Sequence, residues 1–217
     1  MKSESKIITI DGPSASGKGA LTKALALFLN YKILDSGLLY RAYAYFYEMQ
    51  LGADKIKENI KNLDIEIINN ELIVIFDGSD VTNDLRSEKT AKLASELSAL
   101  KDTRSNLLGI QREINNELGL VADGRDMGTV VFPNAGNKFF LTASSEIRAK
   151  RRFLELQKRG QEVNMRDLID DIEKRDLADQ SRELSPLLPA VDARVIDTSD
   201  MSLEEVFNFT KKLIKGN

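Results

Sequence analysis

"KIITIDGPSASGKGALTKALALFL", residues 6–29, decides the fold of this 217-residue chain. The stretch opens with an apolar run typical of a buried strand and closes with a helical pattern of apolar residues. Between them, residues 12–18 satisfy the G-x-x-x-x-G-K pattern of a phosphate-binding loop, in the strand-then-helix context that this motif requires. The sequence therefore predicts a phosphate-binding βα unit. A glycine-rich turn with a surface lysine is the alternative interpretation.

The chemistry of this loop depends mainly on its backbone. Glycines let the chain curl so that successive amides point inward, and the positive end of the following helix faces the same space. Lys18 adds a full charge where the charge of a transferred phosphoryl group is concentrated. We therefore expect nucleotide phosphates to bind the whole loop, which consists of Gly12, Pro13, Ser14, Ala15, Ser16, Gly17, Lys18, Gly19 and Ala20.

The hydroxyl that usually follows the lysine is missing from this loop. A Ser or Thr there would bind magnesium, but Gly19 and Ala20 follow the lysine. Either the loop is degenerate, or it holds magnesium through water and the nucleotide's own phosphates. The second arrangement is that of nucleoside monophosphate kinases, which carry Lys-Gly and generally a Thr next. The candidates to replace the missing Thr are Ser14, Ser16 and Thr22.

Five short apolar runs predict the strands of one sheet. Helical patterns separate most of them, and the pattern after the last run starts with a capping box of Ser202 and Glu205. Strands alternating with helices indicate a three-layer α/β fold with a parallel sheet covered on both faces. Each run ends in polar or glycine-rich residues, which would gather where such sheets bind ligands, at the carboxyl ends of the strands. The predicted strands are residues 6–10, 31–34, 119–122, 138–142 and 193–196.

One segment breaks this alternation of strands and helices. Apolar residues alternate over residues 63–67, the chain turns at Asn69-Asn70, and the alternation resumes over residues 72–76. This hairpin patterning predicts an antiparallel subdomain over residues 62–100, inserted in a single 1–217 domain and followed by a helix at about residues 87–100. The alternative is an edge hairpin of the main sheet.

The composition excludes several classes of site. The chain has no cysteine and no histidine, so disulfides, thiolate metal sites and histidine-based triads are impossible. Its net charge of -3 gives no field that would attract a nucleic acid polymer or an anionic membrane. No apolar run reaches about 18 residues, and the N-terminal run is too short for a signal peptide. We expect a soluble, cytoplasmic protein and, since no heptads are visible, a monomer.

Arginines are concentrated in one part of the chain. If residues 172–184 are helical, Arg175 and Arg182 share a face with Asp179 between them, which suits recognition of a phosphate and a ribose hydroxyl. A surface salt-bridge ladder is the alternative for these residues. Seven of the thirteen arginines lie within residues 148–182, namely Arg148, Arg151, Arg152, Arg159, Arg166, Arg175 and Arg182.

Four segments together resemble the bacterial-type cytidylate kinases. They are "IDGPSASGKG" (10–19), "LDSGLLYR" (34–41), "ADGRDMGTVVFP" (122–133) and "RDLADQSRELSPLLPA" (175–190). Their order and intervals resemble that family across nearly the whole chain, and the hairpin insertion is similar to the family's enlarged monophosphate-binding region. The resemblance implies a P-loop kinase fold and transfer of the terminal phosphoryl group of ATP to CMP or dCMP, with magnesium.

The same resemblance implies roles for individual side chains. Cytosine recognition falls on Ser36, Ser95, Arg104 and Asp126. Phosphates would lie near Arg41, Arg125 and Arg182, and the sugar near Arg175 and Asp179. The catalytic charges would be Lys18, Arg125, Arg175 and Arg182. A mobile lid over residues 148–182 would close over ATP and would contain Arg151 and Arg152.

The chemistry of the residues agrees with these roles. Cytosine has an amine that donates and ring N3 and O2 atoms that accept, so a carboxylate such as Asp126 with a guanidinium such as Arg104 can satisfy both. The attacking phosphate oxygen has a second pKa of about 6 and needs no general base, so positioning and charge neutralisation would carry the catalysis. Asp35 and Asp123 are candidates to hold the water ligands of magnesium, although Asp123 could instead cap the turn before Arg125.

Three other functions stay open at the level of sequence. A related kinase could act on a different small acceptor. A nucleotide-dependent switch could bind without transferring phosphate, although the N-K-x-D motif that reads the base in GTPase switches is absent. A pseudoenzyme could result from Ala20.

Overall fold

A five-stranded parallel sheet organises the computed structural model, which describes residues 6–68, 71–114, 118–158 and 160–214. We number strands and helices along the chain. The sheet has the order β2-β6-β1-β7-β8, with β1 at its centre. Its strands are β1 (Ile7–Asp11), β2 (Lys32–Asp35), β6 (Leu120–Gly124), β7 (Asn137–Thr142) and β8 (Arg194–Asp197). The predicted sheet is confirmed, and every strand but β7 extends one or two residues beyond its predicted end.

The centre of the sheet is covered on both faces. Every residue of β1 and β6 is buried, although successive side chains of a strand point to opposite faces. On one face, Leu21 of α1 (Lys18–Leu29) and Val206 of α9 (Leu203–Leu213) join a core with Ile10. Such continuous burial is typical of parallel sheets and explains why these strands read as unbroken apolar runs.

The helices of this part of the chain mostly follow the predictions. α1 has the predicted bounds, and α9 begins with the predicted capping box of Ser202 and Glu205. α7 (Ser145–Lys158) packs against α8 (Met165–Gln180), and a single π-helical turn (Met127–Val131) follows β6.

The predicted helix over residues 172–184 is wrong at its C-terminal end. α8 ends at Gln180, so Arg182 lies beyond the helix. Ser185 has a left-handed backbone with φ 51°, and a proline follows it, which disfavours helix at that point. The amide of Leu187 donates to the Asp179 carbonyl at 2.9 Å, so the chain folds back over the helix end.

Residues Asp35–Asn115 form one compact unit, which we call the inserted unit; Met1–Leu34 with Asn116–Asn217 form the other, the sheet unit. The inserted unit contains an antiparallel sheet of the order β3-β4-β5, separate from the main sheet, so the edge-hairpin alternative is wrong. The predicted antiparallel pairing is confirmed for β3 and β4. The predicted turn at Asn69-Asn70 lies outside the described residues. The strands are β3 (Asp64–Ile68), β4 (Glu71–Phe76) and β5 (Ser79–Asp80).

Helices supply the rest of the inserted unit. Phe46 of α2 packs edge-on against Phe76 of β4, with ring centroids 4.8 Å apart, and joins sheet to helices. The helix predicted at about residues 87–100 is present as α5. The helices are α2 (Ser36–Glu48), α3 (Ala53–Lys61), α4 (Thr82–Leu85), α5 (Glu88–Leu97) and α6 (Lys101–Glu113). None of the helices in the described ranges combines the length and apolar character needed to cross a membrane.

Candidate active site

The phosphate-binding loop connects the central strand β1 to α1. Gly12, directly after the strand, has φ 148°, and a Cβ built there would lie 2.1 Å from the Leu141 carbonyl oxygen of β7. Only glycine fits this close approach. The loop is thereby held against the carboxyl ends of two neighbouring strands.

Lys18, the first residue of α1, is buried and its charge is poorly stabilised. Its Nζ donates a hydrogen bond to the carbonyl oxygen of Pro13, at the start of the loop, at 2.6 Å. Burial and, to a lesser extent, the charge of Arg125 lower the pKa of Lys18 to about 7, although Asp123 and Asp11 oppose the shift. Phosphate oxygens next to Lys18 would restore the charge that the protein alone does not support.

Asp179 joins two of the predicted arginines. This carboxylate is only 1% exposed, and it accepts a hydrogen bond from Nε of Arg125 at 2.8 Å and another from Arg182. Burial raises the pKa of Asp179, but Arg125 and Arg182 outweigh that effect and hold the pKa below its ordinary value. The carboxylate predicted to contact a sugar is therefore held in place by two guanidinium groups.

The four predicted catalytic charges lie in one cluster of the sheet unit. The charges of Arg125 and Arg175 both lower the pKa of Lys18, and both also act on Asp179. Arg182 reaches the same carboxylate from beyond the end of α8. The positive groups come from α1, the end of β6 and the C-terminal turn of α8, and they meet beside the phosphate-binding loop. Burial together with Arg125 and Arg175 lowers the pKa of Lys18, and the opposing effects of Asp123 and Asp11 do not cancel this shift.

Asp126 lies in the turn between β6 and the π-helical turn, and it is buried. The turn is held by Asp11, the last residue of β1, whose two carboxylate oxygens accept the amides of Met127 and Gly128 at 2.8 Å each. The turn that carries Arg125 and Asp126 is thus fixed to the strand that precedes the phosphate-binding loop.

The start of α7 is tied to the phosphate-binding loop. The buried Arg148 donates to the Ala143 carbonyl at 2.9 Å and to the Ser14 carbonyl at 3.4 Å, and it pairs with Asp176 of α8 at 2.5 Å. Arg151 contacts the same loop, with Nη1 donating to the carbonyl of Ser16 at 3.4 Å.

The two arginines predicted to cover ATP have different surroundings. Arg151 also donates to Thr198, after β8, at 3.0 Å from its hydroxyl and 2.5 Å from its carbonyl. Arg152 pairs with Glu155 at 2.9 Å, one turn further along α7. Arg159 of the arginine cluster lies outside the described residues. Arg151 therefore contacts the phosphate-binding loop, and Arg152 forms an ion pair within α7.

The remaining predicted residues lie in the inserted unit. Ser36, at the start of α2, is buried, and its hydroxyl accepts a hydrogen bond from Nε2 of Gln111 at 2.9 Å. Arg41, also on α2, donates to the Leu85 carbonyl at 3.2 Å. No local pattern indicated Gln111, because its partner is 75 residues away.

Ser95 and Arg104 are linked through Ser98. The Ser98 hydroxyl donates to the Ser95 carbonyl at 2.8 Å, and Arg104 donates to the Ser98 carbonyl at 2.9 Å. The Arg104 guanidinium also lies over the Tyr40 ring, 5.8 Å from its centroid. The Arg104 side chain is thus held by Ser98 and Tyr40, whereas Ser95 is joined to Ser98 through its backbone.

The two candidate magnesium carboxylates differ in what they do. Asp35 caps α2, since its side chain accepts the Leu38 amide at 2.9 Å. Asp123 is the second-last residue of β6. It lies beside the loop, because a Cβ built at Gly19 would be 3.8 Å from its Oδ2. Within the described ranges, no three His, Cys, Asp or Glu side chains form a metal-binding group. Asp123 therefore lies beside the loop, whereas Asp35 is engaged as a helix cap.

Two hydroxyls proposed to replace the missing Thr are buried next to the loop. Ser16 Oγ and Thr22 Oγ1 have no hydrogen-bond partner among the described residues. A buried hydroxyl without a partner is unfavourable, so both are available to a ligand oxygen.

Sequence reasoning missed several residues that shape this cluster. Asp11 and Arg148 were visible, as a polar strand end and as one of the clustered arginines, but nothing indicated that they hold a turn and a loop. Thr198 was likewise visible only as part of a polar strand end, without any indication that it binds Arg151. In the inserted unit, Gln111 carried no signal, because its partner Ser36 lies far away in the chain.

The comparisons with known proteins agree with this arrangement. The sequence profile described as "Cytidylate kinase" matches residues 8–216. The chain belongs to the cytidylate kinase family. It is 45% identical over 206 residues to proteins named "Cytidylate kinase" from Yersinia pestis and Yersinia pseudotuberculosis, covering 92% of this chain and 90% of each relative. A solved structure of an uncharacterized protein from Eubacterium ventriosum has a TM-score of 0.53 at 16% identity, over 97% of this chain and 98% of that chain, which is a likeness of fold alone.

Proposed function

We propose that this chain transfers the terminal phosphoryl group of ATP to CMP or dCMP, with magnesium, and forms CDP or dCDP and ADP. The observation that carries the proposal is the cluster of Lys18, Arg125 and Arg175, in which burial and the two guanidinium charges together lower the pKa of the lysine. Such a cluster is built for polyphosphate anions, because their charge removes the repulsion. The family to which the chain belongs supports the choice of acceptor.

Catalysis in this proposal rests on position and charge. The loop amides and Lys18 bind the phosphates of ATP, while Arg125, Arg175 and Arg182 hold the acceptor phosphate in line. At neutral pH that phosphate is mostly ionised, so its oxygen attacks without a general base. Each guanidinium then faces charge that spreads over the transferring phosphoryl group, where one arginine is worth about 10³-fold or more in rate.

Magnesium fits this site through water rather than through direct protein ligands. Asp123 would accept hydrogen bonds from water bound to the metal. Its carboxylate lies beside Gly19 of the loop, since a Cβ built on that glycine would be 3.8 Å from Oδ2. When bound, the metal neutralises phosphate charge. Ser16 and Thr22 offer buried hydroxyls to the same anions, in place of the Thr that Ala20 lacks.

Cytosine recognition is assigned to Ser36, Ser95, Arg104 and Asp126. The Asp126 side chain would accept a hydrogen bond from the exocyclic amine. Uracil has a carbonyl at that position, so the buried carboxylate would lose its partner and face a lone pair. We therefore expect CMP to be preferred over UMP.

A coupled assay of ADP release, with CDP identified as the product, tests this function. ADP release should depend on CMP in the presence of ATP and magnesium. Release at the same rate without an acceptor would favour a nucleotide-hydrolysing switch. No turnover by the natural chain, with turnover gained in Ala20→Thr, would identify a pseudoenzyme.

A further inference from the structure

Asp11 is a buried carboxylate at the end of the central strand. Each of its oxygens accepts one backbone amide: Oδ1 that of Met127, and Oδ2 that of Gly128, both at 2.8 Å. Both amides belong to the turn that follows Arg125 and Asp126. Two hydrogen bonds to one ionised group fix the turn in position and orientation.

The turn can reach Asp11 only because residue 128 is glycine. A Cβ built on Gly128 would lie 2.9 Å from Oγ1 of Thr9, 3.2 Å from Cδ of Lys138 and 3.3 Å from Oδ2 of Asp11. The first of these distances is shorter than real side chains tolerate. The close approach of the turn to β1 therefore depends on two residues, the carboxylate of Asp11 and the glycine at position 128.

Holding this carboxylate ionised is unfavourable for the fold. Burial and, to a lesser extent, the charge of Asp126 raise the pKa of Asp11 to about 6, although the two amides and Lys18 oppose the shift. Among the other neighbours, Asp123 of β6 acts on Lys18, and Lys138 of β7 is bound by the Pro133 carbonyl and Asp192. An apolar residue at this position would avoid the cost of burying a charge. The carboxylate therefore makes sense through the two amides that it binds.

We propose that Asp11 is a positioning residue for the acceptor: its ionised carboxylate fixes the turn after β6 and thereby the places of Arg125 and Asp126. Asp11 itself does not touch the reacting atoms in this proposal. It acts through two backbone amides, and it rests on the proposed function, in which Arg125 binds phosphate and Asp126 reads cytosine.

Asp11→Asn is the informative substitution. An asparagine of the same shape offers one acceptor oxygen, and its NH₂ group faces the second amide. It therefore resembles the protonated acid, which also has only one free acceptor. Asp80→Asn is a matched control, because Asp80 also accepts a backbone amide, that of Thr82 at 2.9 Å, and has no part in the proposed site.

Steady-state kinetics with CMP and ATP test the proposal. For Asp11→Asn we expect KM for CMP to rise about tenfold or more, the effect of losing one hydrogen bond to a charged group, with a smaller rise in KM for ATP. The ratio of kcat/KM between the natural chain and this variant should shrink toward 1 as the pH falls from 8 to 5, since Asp11 then becomes protonated. Asp80→Asn should match the natural chain at every pH.

Two kinetic results would overturn the proposal. Unchanged KM for CMP would mean that the turn keeps its place without Asp11. A larger effect on ATP than on CMP would mean that Asp11 acts through the charge of Lys18. If the natural chain shows no CMP-dependent turnover, the proposed function fails, and the next measurement still tests the role of Asp11.

Hydrogen exchange of the Met127 and Gly128 amides needs no variant and no activity. Their protection in the natural chain, relative to the buried amides of β1, should fall at least about tenfold between pH 7 and pH 5. Constant relative protection over this range would overturn the clamp, whether or not Asp11→Asn folds.

Discussion

At the scale of single residues, Lys18 combines a binding role with a penalty in stability. Its folded-state pKa of about 7 lies below the ordinary value of 10.5, so between these values the unfolded chain binds the additional proton. Stability therefore rises with pH from about 7 to about 10.5 and is lowest where the buried lysine is charged. The lysine that we propose to bind phosphate therefore lowers the stability of the free protein when it is charged.

Lys18→Met should therefore stabilise the free protein while abolishing turnover. We expect the free energy of unfolding at pH 6 to rise by about 1–3 kcal/mol, since an apolar side chain of similar length replaces a buried charge, and the gain to shrink by pH 9.5. Denaturant titrations at both pH values measure it, with the exposed Lys55→Met as control. A variant less stable than the natural chain at pH 6 would contradict this reading of Lys18.

Asp126 is the residue on which the proposed base selectivity depends. Asp126→Asn should lower kcat/KM for CMP by about 10- to 100-fold, because the carboxamide must replace a charged acceptor, and should reduce the preference for CMP over UMP. Kinetics with both nucleotides measure the change, with the exposed Asp64→Asn as control. Retention of the full preference would remove Asp126 from the recognition of cytosine.

At the scale of elements, strands were easier to predict than helix ends. Runs such as residues 6–10 are buried on both faces, so their apolar character is continuous and their position follows from sequence. The end of α8 at Gln180 depends instead on the chain folding back to Asp179, which no local pattern indicates. The short β5, of two residues, had no pattern long enough to detect.

The site shows the same division. The phosphate-binding loop is local in sequence, so its motif and its place between strand and helix were sufficient to predict it. The pair of Arg125 and Asp179 joins residues 54 apart, and only the resemblance to a family assigned both to one site. Clamps such as Asp11 to Gly128, 117 residues apart, depend on the pairing of strands and were not predicted.

The proposed lid over residues 148–182 is held at both ends, since Asp179 near its C-terminal end accepts a hydrogen bond from Arg125. Arg148 and Arg151 tie the start of α7 to the phosphate-binding loop. A bisubstrate analogue should therefore increase hydrogen-exchange protection most where α7 ends and α8 begins, at about residues 157–166, and little at residues 145–151. Mass spectrometry of exchanged peptides measures this. Equal protection of the whole segment with and without the analogue would contradict lid closure.

At the scale of the whole molecule, the residues of the proposed site are distributed over both compact units. The sheet unit carries the phosphate-binding loop, Arg125, Asp126 and Arg175, and the inserted unit carries Ser36, Arg41, Ser95 and Arg104. The bounds 62–100 of the predicted insertion are narrower than the compact unit of Asp35–Asn115, which also contains α2, α3 and α6 packed against one another. We propose that the chain works as a monomer.

Above all, we propose that this molecule transfers the terminal phosphoryl group of ATP to a cytosine nucleotide. The values of kcat/KM for CMP, dCMP, UMP, AMP and GMP, from one coupled ADP-release assay, test it most directly. We expect CMP or dCMP to exceed UMP by about 10-fold or more, as one mispaired buried carboxylate requires, and the purine nucleotides to react least. Equal values for CMP and UMP, or a higher value for AMP or GMP, would contradict the account.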